Sequence, residues 1–168
     1  MKKLKAEDTA PAKYKESYVC SEAILLSLRE EGTVNFSDDV IRASTGFGAG
    51  VGWSKHLCGA LSGGVMAIGV KYGRTGLNKS RKPSWDCCFE LVRRFAKKYG
   101  TIQCGELIKS FNDLAAKERI SHCQKIIRFV TTETKKIIKD SNDKNFATPE
   151  RDAYYKRREK TAMIAQKS

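Results

Sequence analysis

An apolar segment that begins with a cysteine most constrains what this chain can fold into. Residues 58–73 read CGALSGGVMAIGVKYG, with internal glycines at 59, 63, 64 and 69. A glycine inside a helix costs about 1 kcal/mol relative to alanine, so a helix here needs a compensating gain. Either a neighbouring helix approaches this backbone very closely, or the thiol at its start holds a group that needs room. The segment is too short and too rich in glycine to cross a membrane.

The rest of the chain also has the periodicity of helices. Apolar residues recur at helical spacing, and the sequence contains no convincing run of alternating strand residues and no internal repeat. Capping residues precede several of these runs, as they do at helix starts, and glycines follow several of them, as they do at helix ends. We therefore predict an all-α fold, a bundle of about five to six helices with a C-terminal helical arm. The bundle helices are expected at residues 17–30, 37–44, 58–72, 84–99, 104–116 and 121–139, and the arm behind Thr148 and Pro149.

Six cysteines carry most of the chemical information in this sequence. The positively charged start of the chain is followed by no apolar run like that of a secretory signal, so a cytoplasmic protein is expected. In that compartment cysteines serve more often as metal ligands, redox groups or buried thiols than as structural disulfides. Cys87 and Cys88 lie inside a predicted helix and are expected to be buried or partly buried thiols. The other four lie at or near predicted helix starts, where the helix dipole lowers a thiol pKa: Cys20, Cys58, Cys104 and Cys123.

The spacing of these residues excludes several well-known sites. No C-x-x-C motif occurs, so neither a zinc ribbon nor a thioredoxin-type motif is present, and no C-x-x-C-H motif binds haem. His56 and His122 lie close to cysteines and are candidate ligands, although a lone histidine is more often simply hydrogen-bonded. A second glycine-rich segment, 46–52, matches neither the dinucleotide fingerprint nor the phosphate loop. It is either a flexible connector or a backbone that offers N–H groups to an anion, sulfide included.

The net charge of +13 raises the question of an acidic partner. Residues 71–98 carry nine Lys and Arg residues against Asp86 and Glu90. This basic stripe could follow a nucleic-acid backbone, dock an acidic redox partner, or be a solvated loop and helix face. No nucleic-acid-binding signature accompanies it, so nucleic acid is the least favoured of the three.

Five stretches together resemble the family of redox-active proteins named after its cysteine pattern, C_GCAxxG_C_C. The resemblance spans about residues 17–140 and rests on Cys20, ASTGFGAGVGW, CGALSGGVMAIGVKYG, FAKKYGTIQCGEL and SHCQKIIRFV. Carried over by position, the family's cysteines fall on Cys20, Cys58, Cys104 and Cys123. The family is similar to the non-haem domain of split-Soret cytochrome c, which implies an iron–sulfur cluster, [2Fe–2S] or [4Fe–4S], and a homodimer. This chain departs from that cytochrome because it lacks haem motifs and adds Cys87–Cys88 and residues 141–168.

The resemblance implies three parts: a flexible N-terminal segment 1–16, a helical four-cysteine redox domain 17–140 and a basic helical extension 141–168. The implied function is electron transfer or redox sensing, rather than turnover of a small substrate. Gly48, Gly50, Gly59 and Gly63 are expected to let backbone approach the cluster, or, for Gly59 and Gly63, to allow tight helix packing alone. The alternatives are a metal-free thiol–disulfide oxidoreductase with Cys58 as the attacking thiolate, a zinc or purely structural use of the thiols, and a basic nucleic-acid-associated protein.

Overall fold

Helices form almost the whole of the structure, a computed structural model that describes residues 4–113, 115–141, 146 and 148–165, with side chains up to residue 157. Within these residues there is no β-strand, and a single antiparallel bridge joins Leu57 to Gln103. The all-α class is therefore confirmed. The helices are α1 (Ala6–Lys15), α2 (Cys20–Glu31), α3 (Asp38–Thr45), α4 (Gly59–Tyr72), α5 (Lys82–Tyr99), α6 (Cys104–Ile108), α7 (Lys117–Asp140) and α8 (Pro149–Ala165).

Helix α4, the glycine-rich segment, is the centre of the bundle and packs against α2, α5 and α7. A Cβ at Gly63 would lie 2.9 Å from the Cα of Ser21 on α2. A Cβ at Gly64 would lie 2.7–2.8 Å from side chains of α5 and α7. The glycines at these two positions therefore allow close helix contact, which offsets their low helix propensity. Gly69 differs, because a Cβ there would meet no atom within 4 Å.

The N-terminal segment 1–16, expected to be flexible, contains helix α1, which packs against α2 and α7. Ala6 and Ala10 are fully buried, and they are four residues apart on one helix face. Lys135 of α7 pairs with Glu7 at 2.5 Å, and Arg128 of α7 pairs with Asp8. Small residues and ion pairs make this contact. A packed helix is usually recognised in a sequence by large apolar residues at helical spacing, and this segment has few of them.

Four helix starts or ends differ from the prediction by two residues or more. α2 begins at Cys20 rather than at residue 17. α5 begins at Lys82 rather than Ser84, with Pro83 in its first turn, a position where proline's missing N–H costs nothing. α6 has five residues and ends at Ile108, although a helix was expected to continue to residue 116. α7 begins at Lys117 rather than at residue 121. Its first turn is charged, so no apolar residue marks the start.

The predicted C-terminal arm is helix α8, which lies on α5. Tyr155 is 5% exposed and donates a hydrogen bond to Asp86 at 3.2 Å. Several cations of the basic stripe are engaged inside the protein, since Lys82 pairs with Asp86, and Arg93 and Arg94 pair with Glu90. No helix in the described ranges has the length and apolar character needed to cross a bilayer.

Candidate functional site

The fold brings the four predicted cysteines together from four different elements. Cys20 is the first residue of α2, Cys58 directly precedes α4, and Cys104 is the first residue of α6. These three positions confirm the expectation of thiols at helix starts. Cys123 does not open its helix, because α7 begins six residues earlier and places Cys123 in the second turn.

Backbone pairing between two chain segments holds Cys58 close to Cys104. The N–H of Cys58 donates to the Ile102 carbonyl at 2.9 Å, and the N–H of Cys104 donates to the His56 carbonyl at 2.6 Å. Both donors belong to the cysteines themselves, so the two thiol-bearing residues are fixed relative to each other by main chain rather than by side-chain packing.

All four thiols line one small cavity of about 20 Å³, which we call the inner cavity. Its other walls are apolar and come from α6, α7 and the start of α4: Gly59, Ala60, Leu107, Ile108, Ile126 and Ile127. Three of the thiols, those of Cys20, Cys104 and Cys123, also line a second cavity of about 280 Å³, the outer cavity. The thiols thus form the boundary between an apolar interior and a larger cavity open to solvent.

Glycines bring backbone close to these thiols. A Cβ at Gly59 would lie 2.5 Å from the Phe47 carbonyl oxygen and 3.4 Å from the Cβ of Cys20. A Cβ at Gly50 would lie 2.7 Å from the Cβ of Cys104. A Cβ at Gly48 would lie 2.8 Å from the Cβ of Val19, directly before Cys20. All four predicted glycines therefore lie against cysteine-bearing elements, and Gly63 does so at Ser21, directly after Cys20 on α2.

The segment 46–55, the glycine loop, has an unusual backbone. Ala49, Gly50, Val51, Gly52, Trp53 and Lys55 all have positive φ, between 51° and 76°. Each non-glycine residue in this region costs about 1–2 kcal/mol, so the surrounding packing must hold the loop in place. Such strain concentrates at functional sites, and residue identity alone does not reveal it.

Most N–H groups of the glycine loop already donate to backbone carbonyls, contrary to the alternative in which they are free for an anion. Gly52 donates to the Gly46 carbonyl at 2.8 Å, and Lys55 donates to the Ala49 carbonyl at 3.3 Å. The Ala49 N–H is the exception that reaches the site, because it hydrogen-bonds the Cys20 sulfur.

Burial, not the helix dipole, dominates the acidity of the thiols. Burial and the neighbouring thiols raise the pKa of Cys20 far above its ordinary value, despite the hydrogen bond from Ala49. Burial raises the pKa of Cys58 to about 12, although the N–H groups of Leu61 and Ala60 oppose it. The pKa of Cys104 is also raised by burial. The expected lowering is therefore wrong for these three thiols, and their environment does not favour an attacking thiolate.

Two residues that the sequence reasoning missed lie beside Cys123. Arg119 donates a hydrogen bond from Nη1 to the Tyr14 hydroxyl at 3.0 Å, and the same nitrogen lies 4.0 Å from the Cys123 sulfur. Burial and the adjacent Cys20 and Cys123 raise the pKa of Tyr14 strongly, so its hydroxyl keeps its proton. Arg119 and Cys123 are four residues apart, a spacing that would have indicated this contact had the start of α7 been placed correctly.

The remaining candidates do not join the thiols. His56 is exposed, and the His122 ring packs against Phe111 with centroids 5.3 Å apart. Neither histidine lines the inner or the outer cavity. Cys87 is buried and Cys88 is partly buried on α5, as expected, and both are away from these cavities. Across the part of the chain that the structure describes, no three His, Cys, Asp or Glu side chains are arranged to hold a single metal ion.

Comparison with known proteins identifies the family. The chain is similar to an uncharacterized protein of Archaeoglobus fulgidus, at 26% identity over 134 residues that cover 74% of this chain and 87% of the relative. No solved structure matches the chain. The profile of the family described as "Putative redox-active protein (C_GCAxxG_C_C)" matches residues 18–137, a range that includes Cys20, Cys58, Cys104 and Cys123. The chain belongs to this family.

Proposed function

We propose that the protein binds an iron–sulfur cluster through Cys20, Cys58, Cys104 and Cys123 and uses it in electron transfer or redox sensing. The observation that carries this proposal is the meeting of four thiols, from four separate elements, around one apolar cavity. When bound, the cluster would supply a one-electron carrier held by thiolates.

The donor chemistry of the site supports this choice of cofactor. Iron–sulfur clusters are held mainly by cysteine thiolates, and this site offers four thiols with no carboxylate or histidine among the lining residues of either cavity. A buried group of thiols also needs positive charge if all are to be thiolates, and iron would supply it.

The surrounding residues would tune and protect such a cluster. The N–H groups of Ala49, Ala60 and Leu61 point to the sulfurs of Cys20 and Cys58, and donors of this kind influence the potential of a cluster. Arg119 adds a positive charge beside Cys123. The apolar residues around the inner cavity cover one side of the four thiols.

Electron exchange with another protein would take place near the mouth of the outer cavity. Trp53 is 64% exposed there, and Lys55 is exposed next to it. Together with the net charge of +13, these residues fit a redox partner with an acidic surface. A homodimer stays a prediction of the family resemblance.

The test begins with anaerobic purification, followed by a visible absorption spectrum and assays of iron and acid-labile sulfide. We expect a brown protein with matched iron and sulfide that dithionite bleaches. Replacement of Cys58 by alanine should remove both elements. Cys88→Ala provides the matched control, because this partly buried thiol on α5 lines neither cavity, and it should keep iron and sulfide at the wild-type level.

A colourless protein without iron or sulfide, even after reconstitution, would refute the proposal. Equal iron content in the Cys58→Ala and Cys88→Ala proteins would also refute it, because the metal would then not depend on the site. A thiol titration of the oxidised and reduced protein then tests the metal-free dithiol alternative, which requires a reversible loss of two free thiols.

A further inference from the structure

The outer cavity combines cationic and aromatic residues, some of which also lie beside the proposed cluster site. It is lined by three cationic side chains, Lys15, Lys55 and Arg119, and none of its described lining residues is Asp or Glu. The same cavity has aromatic walls from Tyr14, Tyr18 and Trp53. We propose that the outer cavity is a binding site for a small organic oxyanion, a carboxylate or phosphate ester with an apolar body.

Arg119 provides the most specific support for an anion. Its Nη1 is occupied by the Tyr14 hydroxyl, but its Nε is buried and has no hydrogen-bond partner. A buried N–H without an acceptor is costly, so such groups normally have a partner in the functional state of a protein. Arg119 is among the residues that line the cavity, and a ligand oxyanion that reached its Nε would supply the missing acceptor. Guanidinium is well suited to carboxylate and phosphate.

Lys55 also lines the cavity and belongs to a different element from Arg119, the strained glycine loop. Its backbone carbonyl accepts a hydrogen bond from the Gly105 N–H at 2.8 Å, next to Cys104. Lys55 has a φ of 62°, a conformation that lysine does not favour. The packing of the loop holds it in this conformation, and Lys55 lines the cavity. With Arg119 on α7 and Lys55 on the loop, an oxyanion could be held between two cations from different elements.

The size and position of the cavity set the class of ligand. A volume of about 280 Å³ is at the lower end of the range for small-molecule sites. The inference rests on the proposed function, because it places the ligand beside the thiols that would hold the cluster. An anion bound in the outer cavity would contact the four-cysteine site on the side opposite the inner cavity.

Isothermal titration calorimetry of the purified, full-length protein tests this inference. The probes are benzoate and phenyl phosphate, with benzamide as the neutral counterpart of benzoate. Iron and sulfide are assayed in every sample, so failure of the cluster proposal is seen separately from failure to bind the probes. We expect saturable binding of at least one of the two anions and at least tenfold weaker binding of benzamide.

Two variants and one control connect binding to the named residues. Arg119→Gln should weaken binding of the anion by about tenfold or more, because a charged hydrogen-bond donor is lost. Lys55→Gln should weaken it in the same direction, and its exposed side chain makes loss of folding a small risk. Lys125→Gln removes the same charge from an exposed position of α7 outside the cavity and should leave the affinity unchanged.

Three results would overturn the inference. The first is the absence of saturable binding of both anions. The second is binding that Arg119→Gln and Lys55→Gln leave unchanged relative to Lys125→Gln. The third is binding confined to protein without iron, which would mean that the cluster itself fills the outer cavity.

Discussion

At the scale of single residues, the conformation of the glycine loop determines where the thiol of Cys104 lies. Gly50 has a φ of 76°, and a Cβ there would lie 2.7 Å from the Cβ of Cys104 and 2.8 Å from the Lys55 Cα. Gly52, two residues later, has a φ of 57° but no atom within 4 Å of a Cβ. Both glycines therefore have a left-handed backbone conformation. Only Gly50 also lacks the space for a side chain.

This difference predicts the effects of two alanine substitutions. Gly52→Ala should reduce the free energy of unfolding by about 1–2 kcal/mol, the cost of a left-handed backbone for alanine. Gly50→Ala should cost about 1–3 kcal/mol more, because backbone and the Cys104 Cβ must also move. Urea unfolding measures both effects, and the iron content should fall for Gly50→Ala alone. Equal losses in the two variants would contradict the predicted contact.

The positions of the thiols were predictable from sequence, but their chemistry was not. Cys20, Cys58 and Cys104 follow helix start signals, which depend on local residues. The raised pKa of Cys58 arises from burial by residues distant in sequence, and no local pattern contains that information. Tyr14 and Arg119 were missed for a related reason, since their contact joins α1 to α7, 105 residues apart.

At the scale of the elements, α4 determines how closely the helices pack. A Cβ at Gly64 would lie 2.7 Å from Thr134 Oγ1, 2.7 Å from Val130 Cγ1 and 2.8 Å from Leu91 Cδ2. All three side chains are fully buried, and the two β-branched ones have stiff rotamers. A methyl group at Gly64 would therefore push α4 away from α5 and α7.

Alanine at two positions of α4 should thus have opposite effects on stability. Gly64→Ala should lower the free energy of unfolding by about 1–3 kcal/mol, the usual cost of overpacking. Gly69→Ala, on the same helix with no neighbour within 4 Å, should raise it by about 0.5–1 kcal/mol through helix propensity. Denaturant unfolding of both variants decides this. A stabilising Gly64→Ala would mean that the helices are not in close contact there.

A partly buried ion network links α5 to α7 through Arg94, which donates to Glu90 at 2.7 Å and to Glu133 at 2.8 Å. Hydrogen bonds from Arg93 and Arg94 lower the pKa of Glu90. Burial raises the pKa of Glu133, but hydrogen bonds from Lys136 and Arg94 outweigh this and lower it overall. Because both folded pKa values lie below the ordinary value, the stabilisation is present above pH 4.5 and is lost as the pH falls through the folded values.

Adjacent arginines allow a test of this network. At pH 7, Arg94→Gln should lower the free energy of unfolding by about 1.5–3 kcal/mol, because Arg94 bridges two helices and pairs with the buried Glu90 and the partly buried Glu133. Arg93→Gln, at a mostly exposed arginine that pairs with Glu90 alone, should cost less than about 1 kcal/mol. Thermal unfolding from pH 7 to pH 3 should show the difference between the variants shrinking in acid. If the stability difference between the two variants stayed constant down to pH 3, the ionised carboxylates of Glu90 and Glu133 would not be its cause.

At the scale of the whole molecule, the helical class and the order of the main helices followed from periodicity, but their packing did not. The segment 1–16 was expected to be flexible because its contact surface consists of Ala6, Ala10 and Pro11. Its docking depends on ion pairs with Lys135 and Arg128 in a helix more than 110 residues away. Pairings over such distances leave no periodic pattern in a single sequence.

One buried carboxylate, Asp86 of α5, contacts several residues in and around the C-terminal arm. Asp86 of α5 accepts hydrogen bonds from Lys82 at 2.8 Å and from the buried Tyr155 hydroxyl at 3.2 Å, and it pairs with Arg151 at 3.0 Å. Burial raises the pKa of Tyr155, so its hydroxyl keeps the proton that it donates. The neighbouring Tyr154 is more exposed, and its hydroxyl accepts a hydrogen bond from Arg81 at 3.4 Å at the surface.

Removal of the two hydroxyl groups should therefore affect the arm differently. Tyr155→Phe leaves Asp86 with one donor fewer and should favour detachment of α8 by about 1–2 kcal/mol. Trypsin would then cleave the arm about 5–30 times faster, if detachment is fast relative to cleavage. Tyr154→Phe should change the cleavage rate by less than about twofold, because it removes a surface hydrogen bond. If both variants were cleaved at the wild-type rate, Asp86 would not be the anchor of α8, and the apolar contact of the Tyr155 ring would have to hold it.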